Sequence, residues 1–114
     1  MRPGEIYLAR FPFGDIPGMK LRPVLLLTGA IGQIPEVLVA YISSVVPIRL
    51  LPSDLAIDPT MSEYAGSGLK SFSVLRLHKL ATIHVSGVVR YLGQMERSGN
   101  VVIADKLTAV LGIG

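Results

Sequence analysis

Short apolar segments, separated by proline- and glycine-containing turns, constrain the fold of this chain most. In an extended chain, successive side chains of residues 37–43 point to opposite faces. Val37, Val39, Tyr41 and Ser43 therefore lie on one face. The run Val24-Leu25-Leu26-Leu27 is continuous and predicts a strand buried on both faces. Such spacing predicts a compact β-barrel or sandwich. The predicted strands are 4–11, 23–28, 37–43, 48–51, 55–57, 71–77, 81–85 and 88–92, and 58–68 is expected to be a surface loop.

The end of the chain departs from this pattern and predicts a helix over residues 101–111. Ala104, Leu107 and Leu111 fall at helical spacing. Asn100 is the expected N-cap, and Gly112 is the expected stop. We therefore expect a mainly β domain, spanning residues 1–114, with a C-terminal α-helix.

Composition limits the classes of function. The net charge is +3, which permits binding of a polyanion through a local patch. No apolar run is long enough to span a membrane, the N-terminus lacks the apolar core of a signal peptide, and there is no cysteine, which together favour a cytoplasmic protein. The hydrophobic content of 50% exceeds what a small domain readily hides and suggests a subunit interface. His78 and His84 are the only histidines, and no pattern of metal ligands or nucleotide-binding glycines is present.

Two arginine-containing segments are the candidates for chemistry. Arg22 opens the apolar run at residues 23–27, and Arg76 lies two residues before His78 in a predicted strand. Arg76 and His78 would share one face, about 7 Å apart, while Leu75 and Leu77 point into a core. A permanent cation beside a group that exchanges protons near neutral pH suits phosphodiester chemistry.

Each of these residues also has an ordinary structural interpretation. Arg22 would close a turn, and Ser43 and Ser44 would bond to their own backbone. Arg76 would pair with Asp54, Asp58 or Glu63 at the surface, and His78 would be a solvated loop residue. Taken together on a β-rich basic domain, however, they resemble a site for RNA.

The order of several segments resembles the MazF/PemK toxins of type II toxin–antitoxin systems. Residues 4–8, Gly-Glu-Ile-Tyr-Leu, are similar to the opening strand of that family, and residues 21–27 are similar to its "RPxLVL" signature. Residues 40–44 occupy the place of a strand that ends in Thr or Ser. Residues 68–83 are similar to a branch reading "GLKxxSVVRLDKLxTI". The resemblance covers nearly the whole chain.

This resemblance implies a small SH3-like β-barrel with a C-terminal helix, usually a homodimer, that cleaves single-stranded RNA without metal or cofactor. The 2′-hydroxyl of the RNA attacks the adjacent phosphate and yields a 2′,3′-cyclic phosphate and a 5′-hydroxyl. Arg22 matches an arginine that stabilises phosphate charge or protonates the leaving oxygen. Ser43 matches a phosphate-contacting position, and Arg76 matches the arginine of an "RxD" element. Further RNA contacts are expected from Lys20, Tyr41, Ser44, Lys70 and Lys79, with Phe13, Tyr64 and Phe72 as additional stacking candidates.

Two positions depart from the family pattern. No acidic residue lies in 17–20, although Asp15 is near, and His78 stands where the branch has aspartate. A neutral His78 is the expected general base, in which case activity rises with pH through its pKa. Otherwise the base is Asp15, Glu63 or a bound water. Arg22 and Arg76 are expected to act in the transition state more than in folding, so Arg76→Ala should change thermal stability little.

Three functions follow from the resemblance. The leading one is an mRNA-cleaving toxin held inactive by a cognate antitoxin protein. The second is a noncatalytic toxin like CcdB, which acts on DNA gyrase. The third is a degenerate member of the family that binds only its antitoxin or nucleic acid. The loops 13–20 and 52–68 are expected to set the RNA motif that is recognised.

Overall fold

Six antiparallel strands form one sheet in the computed structural model, which describes residues 1–12 and 19–114. The strands are β1 (Glu5–Pro12), β2 (Met19–Leu26), β3 (Glu36–Ser43), β4 (Asp54–Ile57), β5 (Ser73–His84) and β6 (Val88–Gln94), and helix α1 (Arg97–Leu111) follows them. Their order across the sheet is β4-β5-β3-β2-β1-β6. Strands β2 and β3 are neighbours in the middle of the sheet, so side chains pack on both of its faces where these two strands pair.

The continuous apolar run of β2 is buried on both faces, as the sequence predicts. Val24 and Leu26 belong to one core cluster, and Leu25 belongs to the other. Helix α1 covers the cluster that contains Leu25, because its buried Ile103 packs there. A strand between two apolar layers has no solvent face, which explains why its sequence does not alternate.

The predicted fold class, mainly β with a C-terminal helix, is confirmed. The sheet is not closed, since β4 and β6 are its two edges and the described residues form no ladder between them. A short 3-10 helix, Ser62–Ser67, follows β4 and packs on β6. Gly68, with φ of +75°, ends this helix where an added Cβ would collide with the carbonyl of Leu92. The end of the 3-10 helix thus packs closely on β6, although no hydrogen-bonded strand pair closes the sheet there.

Four predicted segments differ in the structure. Residues 48–51 form no strand, and the loop predicted at 58–68 contains the 3-10 helix. The two strands predicted at 71–77 and 81–85 are one strand, β5. A bulge interrupts its pairing, because consecutive residues Ala40 and Tyr41 of β3 pair with Leu80 and Arg76. The residues of β5 between Arg76 and Leu80 therefore have no partner on β3. They interrupt the alternation of inward and outward side chains on which the sequence prediction is based.

The C-terminal helix begins earlier than predicted. It starts at Arg97, so Asn100 lies inside the helix instead of capping it, and the side chain of Asn100 packs against Gly4. Gly112 is confirmed as the stop: its φ is +68°, and its N–H donates to the carbonyl of Ala109. None of the helices in the described part of the chain is long and apolar enough to cross a membrane.

Candidate functional site

A cavity opens where β2 and β3 diverge. Their pairing runs from Leu26–Val39 to Val24–Tyr41 and stops there. Beyond this point β2 continues along β1, and β3 continues along β5. Pro23 lies at the point of divergence and has no N–H to donate to a ladder. The space between the two strands becomes a cavity of about 460 Å³.

Cationic and hydroxyl side chains line this cavity from several elements. Its lining comprises Leu8, Arg22, Pro23, Tyr41, Ile42, Ser43, Ser44, Val45, Gly68, Leu69, Lys70, Ser71, Ser73, Arg90 and Leu92. Leu8 of β1 pairs with Pro23, the residue after Arg22, on one side and with Arg90 on the other. The cations Arg22 of β2 and Arg90 of β6 therefore flank β1. No carboxylate is among these described lining residues. The cavity therefore suits an anion with apolar groups attached.

Arg22 and Ser43 line the cavity from the two diverging strands. Arg22 is half-buried, and its Nη1 donates to the carbonyl oxygen of the adjoining Leu21 at 2.9 Å. Ser43 is buried, and its Oγ accepts the N–H of Val45 at 3.1 Å. The alternative in which Ser43 bonds to nearby backbone is thus observed, and it holds the hydroxyl at the cavity wall.

The register places three of the predicted catalytic side chains on one face. Val24, Tyr41 and Arg76 form a row across β2, β3 and β5. Directly paired residues point to the same side of a sheet, and so do residues two apart in a strand. Arg22 precedes Val24 by two residues, and Ser43 follows Tyr41 by two. Arg22, Ser43 and Arg76 consequently share a face, although Arg76 does not line the cavity.

Arg76 is held by a buried carboxylate. Its Nε donates to Oδ1 of Asp54 at 2.8 Å, and the Asp54 side chain is 0% exposed, against 18% for Arg76. Of the three partners proposed from the sequence, Asp54 is the one observed. The pair joins β4 to β5 inside the protein instead of lying on its surface, so the expectation that Arg76 contributes little to folding needs revision.

His78 lies apart from the cavity. Its Nδ1 is 2.8 Å from Oγ of Ser53 and 4.0 Å from Oδ1 of Asp54. It lines a second cavity of about 410 Å³ together with Leu51, Pro52, Ser53, Lys106, Ala109 and Val110. His78 falls among the residues of β5 without a partner on β3, and it lies near the Asp54 carboxylate that also holds Arg76. A general base must lie within hydrogen-bond reach of its proton, and His78 is not among the described residues that line the cavity, so its role as the base stays a prediction.

The predicted RNA-contacting residues have different surroundings. Lys70 and Ser44 are exposed at the cavity, and Lys20 and Lys79 are exposed outside its lining. Tyr41 lines the cavity while its ring packs 5.2 Å from that of Phe11, measured between centroids.

Lys79 Nζ lies 5.7 Å from the centroid of the Tyr41 ring, a cation–π distance. Phe72 is 42% exposed and available for stacking. Tyr64 instead packs against the core, where burial and then the charge of Glu63 raise the pKa of its hydroxyl. Lys79 and Phe72 therefore extend the candidate RNA surface beyond the cavity, whereas Tyr64 does not.

Other predicted roles fall on the loops. Phe13 and Asp15, with most of the predicted recognition loop 13–20, lie outside the described residues. Glu63 is exposed and does not line the cavity. In the second predicted recognition loop, the side-chain and backbone hydrogen bonds of Thr60 lower the pKa of Asp58. The described residues contain no group of three or more potential metal ligands.

Sequence reasoning missed two residues of the site, Arg90 and Asp54. Arg90 belongs to a strand that was predicted, but its place at the cavity depends on the pairing of β6 with β1. That pairing joins the first and last strands and has no local signal. From the sequence, Asp54 is only one of three possible surface partners of Arg76. The adjoining Pro52-Ser53 suggested a turn, and nothing local showed that the carboxylate is buried.

The sheet, the C-terminal helix and the cation-lined cavity define a small β-sheet protein with a site suited to a phosphate-containing ligand. The sequence model of PemK-like, MazF-like toxins of type II toxin–antitoxin systems matches residues 2–111. The chain therefore belongs to this toxin family. A search of curated proteins by sequence found no match.

Solved structures give the same fold. The Mycobacterium tuberculosis toxin MazF-mt6 is 27% identical, with a TM-score of 0.74 over 96% of this chain and 98% of that one. An endoribonuclease in complex with its cognate antitoxin, from a mycobacterial species, is 16% identical, with a TM-score of 0.71 over 100% and 97% of the two chains. MazF from Deinococcus radiodurans is 15% identical, with a TM-score of 0.71 over 98% and 96%. The latter two are too distant to indicate more than the fold.

Proposed function

We propose that this toxin is a sequence-specific endoribonuclease, an mRNA interferase, that cleaves single-stranded RNA in the cytoplasm. The observation that carries the proposal is the cation-lined cavity at the divergence of β2 and β3, with Arg22, Ser43 and Arg76 on one face. Two mycobacterial proteins of the same fold are described as endoribonucleases, which supports the activity class.

The proposed reaction takes its nucleophile from the substrate. The 2′-hydroxyl attacks the adjacent phosphorus, the bond to the 5′-oxygen breaks, and the products carry a 2′,3′-cyclic phosphate and a 5′-hydroxyl. The phosphate gains negative charge as it becomes five-coordinate. Arginines already fixed in place stabilise this charge more strongly in the transition state than in the ground state. RNA is selected over DNA because DNA has no 2′-hydroxyl.

The roles follow from position. Arg22 contacts the reacting phosphate or protonates the leaving oxygen, and Ser43 contacts a phosphate oxygen from the opposite wall. Arg76 adds a second cation from the neighbouring strand. A bound water or Asp15 accepts the proton of the 2′-hydroxyl, since no carboxylate or imidazole is among the described lining residues. Arg90 and Lys70 bind flanking phosphates.

The test is incubation of the purified protein with a long unstructured RNA in EDTA, followed by mapping of the product ends. We expect cleavage to continue, with 5′-hydroxyl and cyclic phosphate ends. Cleavage that stops in EDTA, or 5′-phosphate ends, would contradict the proposed chemistry. An intact RNA would favour the noncatalytic alternatives.

We further propose a homodimer and a cognate antitoxin protein as its inhibitor. Apolar side chains are exposed along the segment between β3 and β4: Val45, Val46, Ile48, Leu50 and Leu51. Exposed apolar clusters of this kind mark protein interfaces. Other structures of this fold include an endoribonuclease with its cognate antitoxin and MazE–MazF from Deinococcus radiodurans. Sedimentation should show a dimer at micromolar concentration, and a clean monomer would count against this part of the proposal.

A further inference from the structure

We infer that Asp54 is a positioning residue that orients the guanidinium of Arg76 toward an RNA phosphate. The inference rests on the proposed ribonuclease function and adds a residue of the edge strand β4 that lies outside the cavity lining.

The carboxylate of Asp54 is fixed at both oxygens. Oδ2 accepts the N–H of Leu51 at 2.8 Å, and Oδ1 accepts Nε–H of Arg76 at 2.8 Å. The backbone N–H of Asp54 donates to the carbonyl of Leu51 at 2.9 Å, which closes the turn before β4. The side chain is fully buried. A buried charge held in this way presents its negative end in one direction.

The bond to Nε restricts the direction in which the arginine points. Arg76 is long and has many rotamers in solution, and ordering it at the moment of RNA binding would oppose binding. Because Nε is already engaged, the planar guanidinium is held before substrate arrives. Its two terminal amino groups are left to contact a phosphate, and the side chain remains partly exposed. A preoriented cation stabilises charge in the transition state better than a mobile one.

The place of the pair in the sheet links it to the cavity. Asp54 pairs with Arg76 across β4 and β5, and Arg76 pairs with Tyr41 across β5 and β3. Tyr41 lines the cavity that Arg22 and Ser43 also line. Asp54 is thus the buried end of a row whose other members lead to the cavity. A purely structural ion pair would serve the fold alone, and kinetics can separate the two roles.

The experiment is a double-mutant cycle in RNA cleavage with Asp54→Asn, Arg76→Ala and the double variant. Asparagine keeps a side-chain oxygen for the Leu51 N–H but removes the charge that holds Arg76. We expect Asp54→Asn to lower kcat about 10- to 100-fold, the range for loss of a supporting partner or a small misplacement, and to raise KM by a smaller factor because a mobile Arg76 must also be ordered on binding. In the Arg76→Ala background the same change should lower kcat no further.

Asp105→Asn is the matched control. It removes the same charge from an exposed residue of α1 that does not line the cavity, and it should leave kcat unchanged. Urea unfolding of every variant ensures that rates are compared among folded molecules. Equal losses of kcat in the presence and absence of Arg76, or an unchanged kcat in folded Asp54→Asn, would overturn the inference.

Failure of the proposed function is distinguishable from failure of this inference. If the wild-type protein cleaves no RNA, the same cycle is measured by fluorescence anisotropy with a 2′-O-methyl oligonucleotide. We then expect Asp54→Asn to weaken binding only when Arg76 is present. Equal weakening in both backgrounds, or no weakening at all, would overturn the positioning role.

Discussion

Arg22 and Arg76 lie on the same face of the sheet but are anchored in different ways. Arg22 bonds to the carbonyl of Leu21, its own neighbour in the strand, and lines the cavity. Arg76 bonds to Asp54, which is 22 residues away in sequence and fully buried. The first contact is local, whereas the second joins two strands.

This difference in anchoring predicts that the two arginines contribute differently to the stability of the fold. Removing Arg22 takes away a hydrogen bond to the backbone of its own strand at a half-buried position. Removing Arg76 leaves a buried carboxylate without its cation. Two arginines that look alike in the sequence should therefore have different effects on stability, even where both contact RNA.

The largest effect expected on stability is that of Arg76→Ala. It should lower the free energy of unfolding by about 3–5 kcal/mol, the usual consequence of breaking a buried ion pair from one side. Urea unfolding measures this. The variant Asp54→Asn/Arg76→Met, which removes both charges, should recover much of the loss. An Arg76→Ala protein as stable as the wild type would show that the pair contributes nothing to the fold.

Arg22→Ala should reduce the cleavage rate strongly and the stability of the fold less than Arg76→Ala does. We expect the cleavage rate to fall about 10²-fold or more, as when a preorganised charge-stabilising group is lost. Stability should fall less than in Arg76→Ala, because Arg22 is half-buried and its removal leaves no fully buried carboxylate without its cation. Arg10→Ala is the control, because Arg10 is exposed on β1 and does not line this cavity. Full activity in Arg22→Ala would show that the reaction does not take place at this cavity.

The same contrast explains how much the sequence predicts. The place of Arg22 at the cavity agrees with the prediction from a short segment, an arginine-proline step before an apolar run. The strand over residues 23–26 follows from the same segment, since burial on both faces leaves a continuous apolar pattern. Local patterns of this kind need no knowledge of the rest of the chain.

Asp54 and His78 depend on pairing between distant segments. The bulge opposite Ala40 and Tyr41 leaves His78 without a partner on β3, and His78 lies near the Asp54 carboxylate that holds Arg76, outside the cavity lining. The burial of Asp54 requires β4 to pair with β5. Neither feature has a local signal, because register and bulges are set by the whole sheet. Helix α1 likewise begins at Arg97, although the cap pattern favoured Asn100.

A smaller effect is expected at Arg90, the cation that sequence reasoning missed. Arg90→Ala should weaken RNA binding several-fold and reduce the slope of log K against log salt by about 0.7, as for the loss of one phosphate contact with a single strand. Fluorescence anisotropy over a salt series measures both quantities, with Arg10→Ala again as the control. An unchanged salt slope would place the RNA on a path that avoids β6.

The smallest effect is expected at His78. Because it lines the second cavity with Ser53, His78→Ala should leave the pH dependence of the cleavage rate unchanged. His84→Ala is the control, since His84 is exposed at the end of β5 and bonds to Ser86. Loss of the acidic limb of the profile in His78→Ala alone would restore His78 as the general base.

The central claim, that the substrate's own 2′-hydroxyl is the nucleophile at this cation-lined cavity, has one most direct test. After the cleavage site in an RNA has been mapped, the same oligonucleotide is made with a single 2′-deoxy nucleotide on the 5′ side of the scissile bond. The account predicts that cleavage at that bond disappears while binding is retained. Cleavage at the unchanged position, with a 5′-phosphate on the product, would contradict it.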